Sequence, residues 1–502
     1  MHWQVRGLPA ITPPFFFPFT SFFFPLRLCF FCLTGHQENF REHSAPPRTT
    51  KRTSFLESTA SKTKIMAHLH RALGRCFLST HRAPPKKPLR PFQEVTLPAP
   101  LPLAHGGALP TGSVRMRVEV LGDPSLPLSR TIVIFPSFSH SSHVAGHTDD
   151  PSPGWWQEMV GPGLPIDTRH FRVVCSTNLG SPLSPTNPSC TLGTDGRPLR
   201  TRFPTITPSD MARCHAEVLA TLLGRGVLDG SSGKLHALVG ASLGGMQALQ
   251  FASLYPSASQ RLLAVATTGR TTPFSVAIRS TQRAAILSDP LWLGGNYEDD
   301  ATKRVPAAGL RLARELGTMF YRSRAEFDGR FEWSPGSSVD WTKRETWEVE
   351  SYLHHAGSKF VRAFDANGYL LLSKAMDLMD LGDGVEGRSH YAEGARRIAS
   401  RGCKTLLVGI RQDALVPAAE LAALAGAINS SSSSSSGPQA AQVGGAPPPA
   451  AEFLELDSDL GHDAFLVPRA LPLLQTRTRE FLEAGLEGTL EAERALVGGP
   501  TC

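Results

Sequence analysis

Ser242 lies at the centre of Gly240-Ala241-Ser242-Leu243-Gly244, a G-x-S-x-G pattern joining an apolar run at 234–239 to a run of helix formers at 246–251. A strand that turns at once into a helix holds its central residue in strained geometry, with the hydroxyl at the carboxyl end of the strand. Gly240 and Gly244, lacking Cβ, let strand and helix approach. The helix aims free N–H groups and its positive dipole end at negative charge beside the serine. The chemistry this suits is nucleophilic attack on an acyl carbon.

A lone hydroxyl is scarcely ionised at neutral pH, so a base and an orienting acid must follow, acid first in this architecture. The apolar run at 404–410 reads as a buried strand and is followed at once by Arg411, Gln412 and Asp413. A short strand at 453–456 leads to Gly461 and His462. This assigns Ser242 as nucleophile, His462 as general base and then acid, and Asp413 as the group that orients the imidazole and stabilises its cation. A further buried strand, TIVIF at 131–135, opens into the loop Pro136 to His143. The backbone N–H groups of Leu243 and Phe138 are the expected oxyanion pair, each such donor being worth about 3 kcal/mol of barrier. His140, His143 and His147 raise a metal reading, but a Pro- and Ser-rich loop offers no helix face to gather them, so no metal is expected.

The surrounding pattern must position these groups. Residues 114–121 alternate as an edge strand would, 171–175 and 261–268 read as further strands, and 210–223 as an amphipathic helix capped by Ser209. Strands alternating with helices imply a mostly parallel sheet covered on both faces. From 272 to 396 the alternation stops and helical patterns take over at 276–287, 309–321 and 349–365, which reads as an inserted helical lid. Arg283, Arg314 and Tyr321 stand out there, although each taken alone reads as part of a solvated helix face. Residues 429–450, with seven consecutive serines and a later run of three prolines, read as a disordered surface insertion.

With 502 residues and 41% apolar content, the chain can build a substantial core. Its net charge of +7 is uneven: residues 1–93 carry 14 Lys and Arg against 3 Asp and Glu, leaving the remainder at −4. No nucleic-acid partner is implied. The Phe-rich run at 15–33 is broken by Pro18, Pro25 and Arg27 and does not make a membrane span. Residues 1–65 read as a disordered or mistranslated leader before a start at Met66. Residues 66–93 have the acid-free, Arg- and Ser-containing composition of a mitochondrial transit peptide, which points to the mitochondrial matrix, with the cytoplasm as the alternative. Among the eight cysteines only Cys29 and Cys32 form a C-x-x-C pair, so neither a zinc framework nor a disulfide scaffold emerges and a reducing compartment fits. The expected division is a core at 94–271, the lid at 272–396, and the rest of the core at 397–502.

Six blocks, GPGLPIDTRHFRVVCSTNLGS, FPTITPSDM, GASLGGMQAL, QRAAILSDPLWLGGNY, GLRLARELGTMFYRS and LGHDAFL, resemble the homoserine O-acetyltransferase family, which includes serine O-acetyl- and O-succinyltransferases. The resemblance implies an α/β-hydrolase fold, a mostly parallel central sheet with an inserted helical lid. It places Ser242, Asp413 and His462 on the family's triad. It also makes Arg314 the holder of the amino-acid carboxylate, Tyr321 a pocket residue, and Asp463 the holder of the amino group. It implies acetyl-CoA or succinyl-CoA as co-substrate with no bound cofactor, L-serine or L-homoserine as acceptor, no nucleic-acid or membrane partner, and a homodimer through the lid helices. The oxyanion loop departs from the homoserine pattern: Phe138 replaces a leucine, and Ser139, His140, Ser141 and Ser142 replace Thr-Gly-Asp-Ser. That variant resembles the serine-using branch, including fungal mitochondrial enzymes of cysteine synthesis. A phenyl ring beside the nucleophile favours the acceptor shorter by one methylene, a difference worth about 1–3 kcal/mol. The expected function is acyl-CoA-dependent O-acylation of L-serine through a Ser-His-Asp acyl-enzyme. The alternatives are a homoserine O-acetyltransferase of methionine biosynthesis and an esterase.

Overall fold

The computed structural model describes residues 92–297, 305–333, 340–342, 346–383, 391–432, 449–467 and 471–486. The expected leader, residues 66–91 of the expected transit peptide, and 433–448 of the expected insertion lie outside them.

Eight strands form the central sheet: β1 (Phe92–Thr96), β2 (Arg115–Leu121), β3 (Thr131–Phe135), β4 (Arg172–Ser176), β5 (Leu235–Ala241), β6 (Ser259–Val265), β7 (Lys404–Ile410) and β8 (Ala451–Leu456). Their order is β1-β2-β4-β3-β5-β6-β7-β8, with β2 antiparallel to both neighbours and every pair from β4 to β8 parallel. The inner parallel strands are buried almost throughout and rich in Val, Ile and Leu because helices cover both faces, whereas β8 at the edge alternates with Glu. Successive side chains alternate between two apolar clusters. Val133, Phe135 and Leu238 enter one with Phe251; Ile132, Ile134 and Val239 enter the other with Trp156 and Phe465. Each fully buried large side chain contributes about 1.5–3 kcal/mol.

Several boundaries differ from the sequence expectation. β2 is not the edge: the more polar β1 pairs along it, so the alternation at 115–118 marks a half-exposed antiparallel strand. β1 begins two residues before the expected core boundary at 94. The helix α1 (Pro208–Leu223) is capped by Thr207, not Ser209. Thr207 Oγ1 accepts the Asp210 N–H at 3.2 Å, the Asp210 carboxylate accepts the Thr207 N–H at 2.9 Å, and Pro208 occupies the first helical position, where its missing N–H costs nothing.

The nucleophile strand β5 feeds α2 (Leu243–Leu254). Between β6 and β7 lie α3 (Pro273–Leu287), α4 (Ala307–Tyr321), α5 (Glu348–Val361) and α6 (Ala366–Asp377). The expected helix at 349–365 ends at Val361, and Asp365 instead accepts the Gly368 N–H at 2.9 Å as the cap of α6. Helix α7 (Tyr391–Ala399) packs on α2 and on α8 (Ala418–Ser432), so it belongs to the core and the lid stops short of 396. Residues 429–432 continue α8, so the helix occupies the start of the expected insertion. Helix α9 (Pro472–Glu483) closes the described chain, and no described helix is long and apolar enough to cross a membrane.

Thr207→Ala should lower unfolding stability by about 1 kcal/mol, read as a shift in denaturant midpoint at unchanged slope. Asp210→Ala should lower it further, because Asp210 also accepts the Ala104 N–H at 2.7 Å.

Candidate active site

The carboxyl ends of β3, β5, β7 and β8 lie along one side of the sheet, so loops far apart in sequence meet there. Ser242 turns the chain from β5 into α2 with φ 54° and ψ −122°. The turn is this tight only because a Cβ on Gly240 would stand 2.2 Å from the Gly244 carbonyl oxygen, and one on Gly244 would stand 2.1 Å from that of Phe135. The structure brings the three expected side chains together: His462 Nε2 lies 2.9 Å from Ser242 Oγ, and Nδ1 lies 2.6 Å from Asp413 Oδ2. A carboxylate only accepts, so Nδ1 carries the proton and Nε2 is free to take the one on Ser242. Asp413 Oδ1 accepts the N–H groups of Leu415 and Val416, each at 2.8 Å, which fixes the carboxylate. Burial disfavours an imidazolium at 462, but the charge and hydrogen bond of Asp413, with Asp463 adding, outweigh it and hold the ring above its ordinary 6.5.

Two peptide groups flank Ser242, and each is aimed by a side chain on its carbonyl. Asn178 Nδ2 donates to Ser137 O at 3.0 Å. Thr267 Oγ1 donates to Ser242 O at 2.8 Å. Because C=O and N–H point in opposite directions across a planar trans peptide, the N–H groups of Phe138 and Leu243 are turned away from those donors. Neither N–H has a partner among the described residues. Behind them Gln247 Nε2 reaches Asn178 Oδ1 at 2.9 Å and Leu243 O at 3.3 Å, while its own Oε1 accepts from His215 Nε2 at 2.8 Å. Burial lowers His215 to about 4, so this network is neutral and rigid.

The cavity beside Ser242 is lined by Phe138, Ser139 and His140 on the core side and by Arg279, Gln282, Arg314 and Tyr321 from the lid, with Asp463 beside the catalytic histidine. The Arg314 guanidinium lies between the rings of Tyr321 and Phe360, 5.0 and 4.8 Å from their centroids, and faces no carboxylate among the described residues. Asp463 Oδ2 is 3.5 Å from Arg322 Nε. Burial, with the Arg314 charge adding, lowers His140 to about 4, so its ring is neutral and stacks on Trp155 at 4.6 Å. Phe138 stacks on Phe364 at 5.5 Å and meets the edge of Tyr369 at 5.0 Å.

Two expected specificity residues face elsewhere. Ser142 Oγ donates to Glu119 at 2.7 Å and Ser141 Oγ accepts the His143 N–H at 3.1 Å, both lining a separate cleft. The loop turns over after His140, so only its first half reaches the cavity. Arg283 pairs with Asp377 at 2.6 Å; Arg279, one turn earlier, shares that carboxylate at 2.7 Å and reaches the cavity. Sequence reasoning passed over Arg279, Asn178, Gln247 and Thr267. The available signal was polarity inside apolar runs, as for Gln247 within a wholly buried helix.

Residues 130–466 match the family described as alpha/beta hydrolase fold. A homoserine O-acetyltransferase of Symbiobacterium thermophilum is 38% identical over 416 residues, covering 80% of this chain and 96% of its own length. The chain belongs to the homoserine O-acetyltransferase family of α/β hydrolases. A serine O-succinyltransferase of Stenotrophomonas maltophilia is 37% identical over 374 residues, 74% of this chain and 92% of that protein. The crystal structure of a homoserine O-acetyltransferase from Bacillus anthracis matches with a TM-score of 0.65 at 25% identity, covering 78% of this chain and 97% of that one. As a member of this family the protein is an O-acyltransferase.

In this acyltransferase the base form of His462 is lost as pH falls through its raised pKa. The acid limb of kcat/KM should therefore sit above pH 6.5. Asp413→Asn should move that limb downward and cut kcat by about 10⁴-fold, measured in a pH series of initial rates. Asn178→Ala and Thr267→Val should each lower kcat by about 10- to 100-fold, less than outright loss of an oxyanion donor, with substrate KM little changed. Thr267→Ser, which keeps the hydroxyl, should recover most of the rate.

Proposed function

We propose that the enzyme transfers a succinyl group from succinyl-CoA to the hydroxyl of L-serine, in the service of cysteine biosynthesis. The observation carrying this reading is the charge around the cavity. Arg314 faces the cavity without a carboxylate partner among the described residues, and Asp463 lies opposite in charge; together they suit the carboxylate and ammonium of an amino acid. A second guanidinium, Arg279, has one carboxylate partner among the described residues, Asp377, and shares it with Arg283. That wall therefore carries surplus positive charge suited to a second carboxylate, which a succinyl group has and an acetyl group lacks. The Phe138 ring, packed by Phe364 and Tyr369, narrows the acceptor side and favours serine over homoserine.

The steps follow from the geometry. Ser242 Oγ attacks the thioester carbon as its proton passes to His462 Nε2, and the N–H groups of Leu243 and Phe138 hold the oxyanion. Collapse breaks the C–S bond; the departing thiolate takes the proton from His462, leaving a succinyl ester on Ser242. The serine hydroxyl then gives its proton to His462 and attacks the ester carbon. The second collapse returns the proton to Ser242 Oγ and releases O-succinyl-L-serine. Holding the acceptor by both charged ends gives its hydroxyl the advantage over water. The composition of residues 66–93 supports action in the mitochondrial matrix.

Steady-state rates for serine and homoserine with succinyl-CoA and acetyl-CoA test this reading. The serine and succinyl-CoA pair should lead in kcat/KM by at least about tenfold, roughly 1.4 kcal/mol. A homoserine preference overturns the acceptor, an acetyl-CoA preference overturns the donor, and fast acyl-CoA hydrolysis without acceptor returns the esterase alternative. Arg279→Gln should raise KM for succinyl-CoA while sparing acetyl-CoA.

A further inference from the structure

Glu119, on β2, is only 4% exposed and lies beneath the loop that follows β3. Two imidazoles converge on one of its oxygens: His143 Nδ1 stands 2.8 Å and His147 Nε2 3.0 Å from Oε2. All three donor atoms lie within 4.8 Å of one another. Two imidazole nitrogens and one carboxylate oxygen form the donor set of a borderline divalent ion such as Zn²⁺. At Zn–N and Zn–O lengths of about 2.0–2.1 Å, ligand atoms around a tetrahedral ion stand roughly 3.3 Å apart. The two contacts to Glu119 Oε2 need to open by only a few tenths of an ångström, and the two imidazole nitrogens stand within 4.8 Å of each other.

The neighbours orient these groups as outer partners of a metal site do. Ser142 Oγ donates to Glu119 Oε1 at 2.7 Å, leaving Oε2 for the shared centre. His143 Nε2 lies 2.8 Å from the Ser152 carbonyl, an acceptor, so it carries the N–H. In the neutral ring this leaves the Nδ1 lone pair facing a carboxylate oxygen, an arrangement that needs a cation between them, either a proton or a metal ion. His147 Nδ1 receives the Asp149 N–H at 3.3 Å, a long contact in an exposed turn that would have to give way for a metal-bound ring to carry its proton on Nδ1. On the open side Asp150 Oδ2 lies 3.9 Å from His143 Nδ1, within reach as a fourth ligand. The site opens to a cleft of about 1020 Å³, which admits the ion and its waters.

We infer that Glu119, His143 and His147 form a binding site for a divalent transition-metal ion of the zinc class, tying the oxyanion loop to β2. The ion is structural: the same loop sends Phe138, Ser139 and His140 into the catalytic cavity and sends His143 and His147 into the cleft. The inference is independent of which acyl group and acceptor the enzyme uses.

The test uses the purified full chain, stripped with a chelator, dialysed, and titrated with ZnCl2 by calorimetry and with CoCl2 by visible absorption. The expected result is one equivalent bound at micromolar affinity or tighter, ligand-field bands from Co²⁺, and a higher melting temperature with Zn²⁺. Glu119→Gln and His147→Gln should each weaken binding by more than the roughly 10- to 100-fold typical of outer partners. Absence of stoichiometric binding by the wild-type chain overturns the inference and leaves a cluster held by protons alone. Retention of full affinity in the Glu119→Gln, His147→Gln double variant overturns it as well, by placing the ion elsewhere.

Discussion

The backbone at Ser242 occupies a region of φ/ψ space that costs a residue with a side chain about 1–3 kcal/mol, and the surrounding structure leaves it no alternative. Its N–H is tied to Val265 O at 2.9 Å, and its carbonyl accepts from both Thr267 Oγ1 and the Met246 N–H. Ser137 Oγ donates to Ala241 O at 2.7 Å, fastening the preceding peptide to the oxyanion loop. Two glycines then let α2 and the end of β3 approach to within the space of a missing methyl group. The strain is thus sustained by bonds to the loop after β3, to the end of β6 and to the following helix at once. One consequence is that the nucleophile, the helix N-terminus and the oxyanion amides are already in place before any substrate arrives.

On the proposed reading, the charge around this fixed point is what separates acyl transfer from hydrolysis. A guanidinium packed between two aromatic rings is held in place by its faces, which leaves its N–H edge for a planar carboxylate. Asp463, by contrast, already has Arg322 nearby, so the site carries more free positive than negative potential. In that reading anionic substrates are drawn in, and an ammonium finds one acidic contact. Water, lacking either charge, gains little from this arrangement. The lid supplies Arg279, Arg314 and Tyr321 to the cavity, whereas the core supplies the triad together with Phe138 and Asp463.

What could be read from sequence follows the same division. Ser242, Asp413 and His462 were legible because each follows a strand-like segment, and parallel strands put such positions on one edge of the sheet. Helix ends were less legible where two signals overlapped. Ser209 and Thr207 both suit a cap, and only the reciprocal bond with Asp210 decides for Thr207. Asp365 reads as the tail of one helix until its side chain is seen capping the next. Asn178 and Gln247 were opaque because their work is to hold backbone carbonyls, and backbone groups leave no mark in a sequence. Arg279 was hidden behind Arg283, since a helical face locates a charge only to within a turn.

The loop after β3 shows why side-chain direction matters more than spacing in irregular chain. Its three histidines recur at intervals of three and four residues, which on a helix would place them on one face. In the loop His140 stacks on Trp155 beside the catalytic cavity, while His143 and His147 turn to a carboxylate on β2, 24 residues before the first of them. The loop is consequently gripped on two sides. Asn178 holds the Ser137 carbonyl from the core, and Glu119 holds the imidazoles from beneath. A catalytic amide on a loop keeps a constant direction only if the chain on either side of it is anchored. Here both anchors are polar contacts at buried sites, where an unmade hydrogen bond costs more than it would in water.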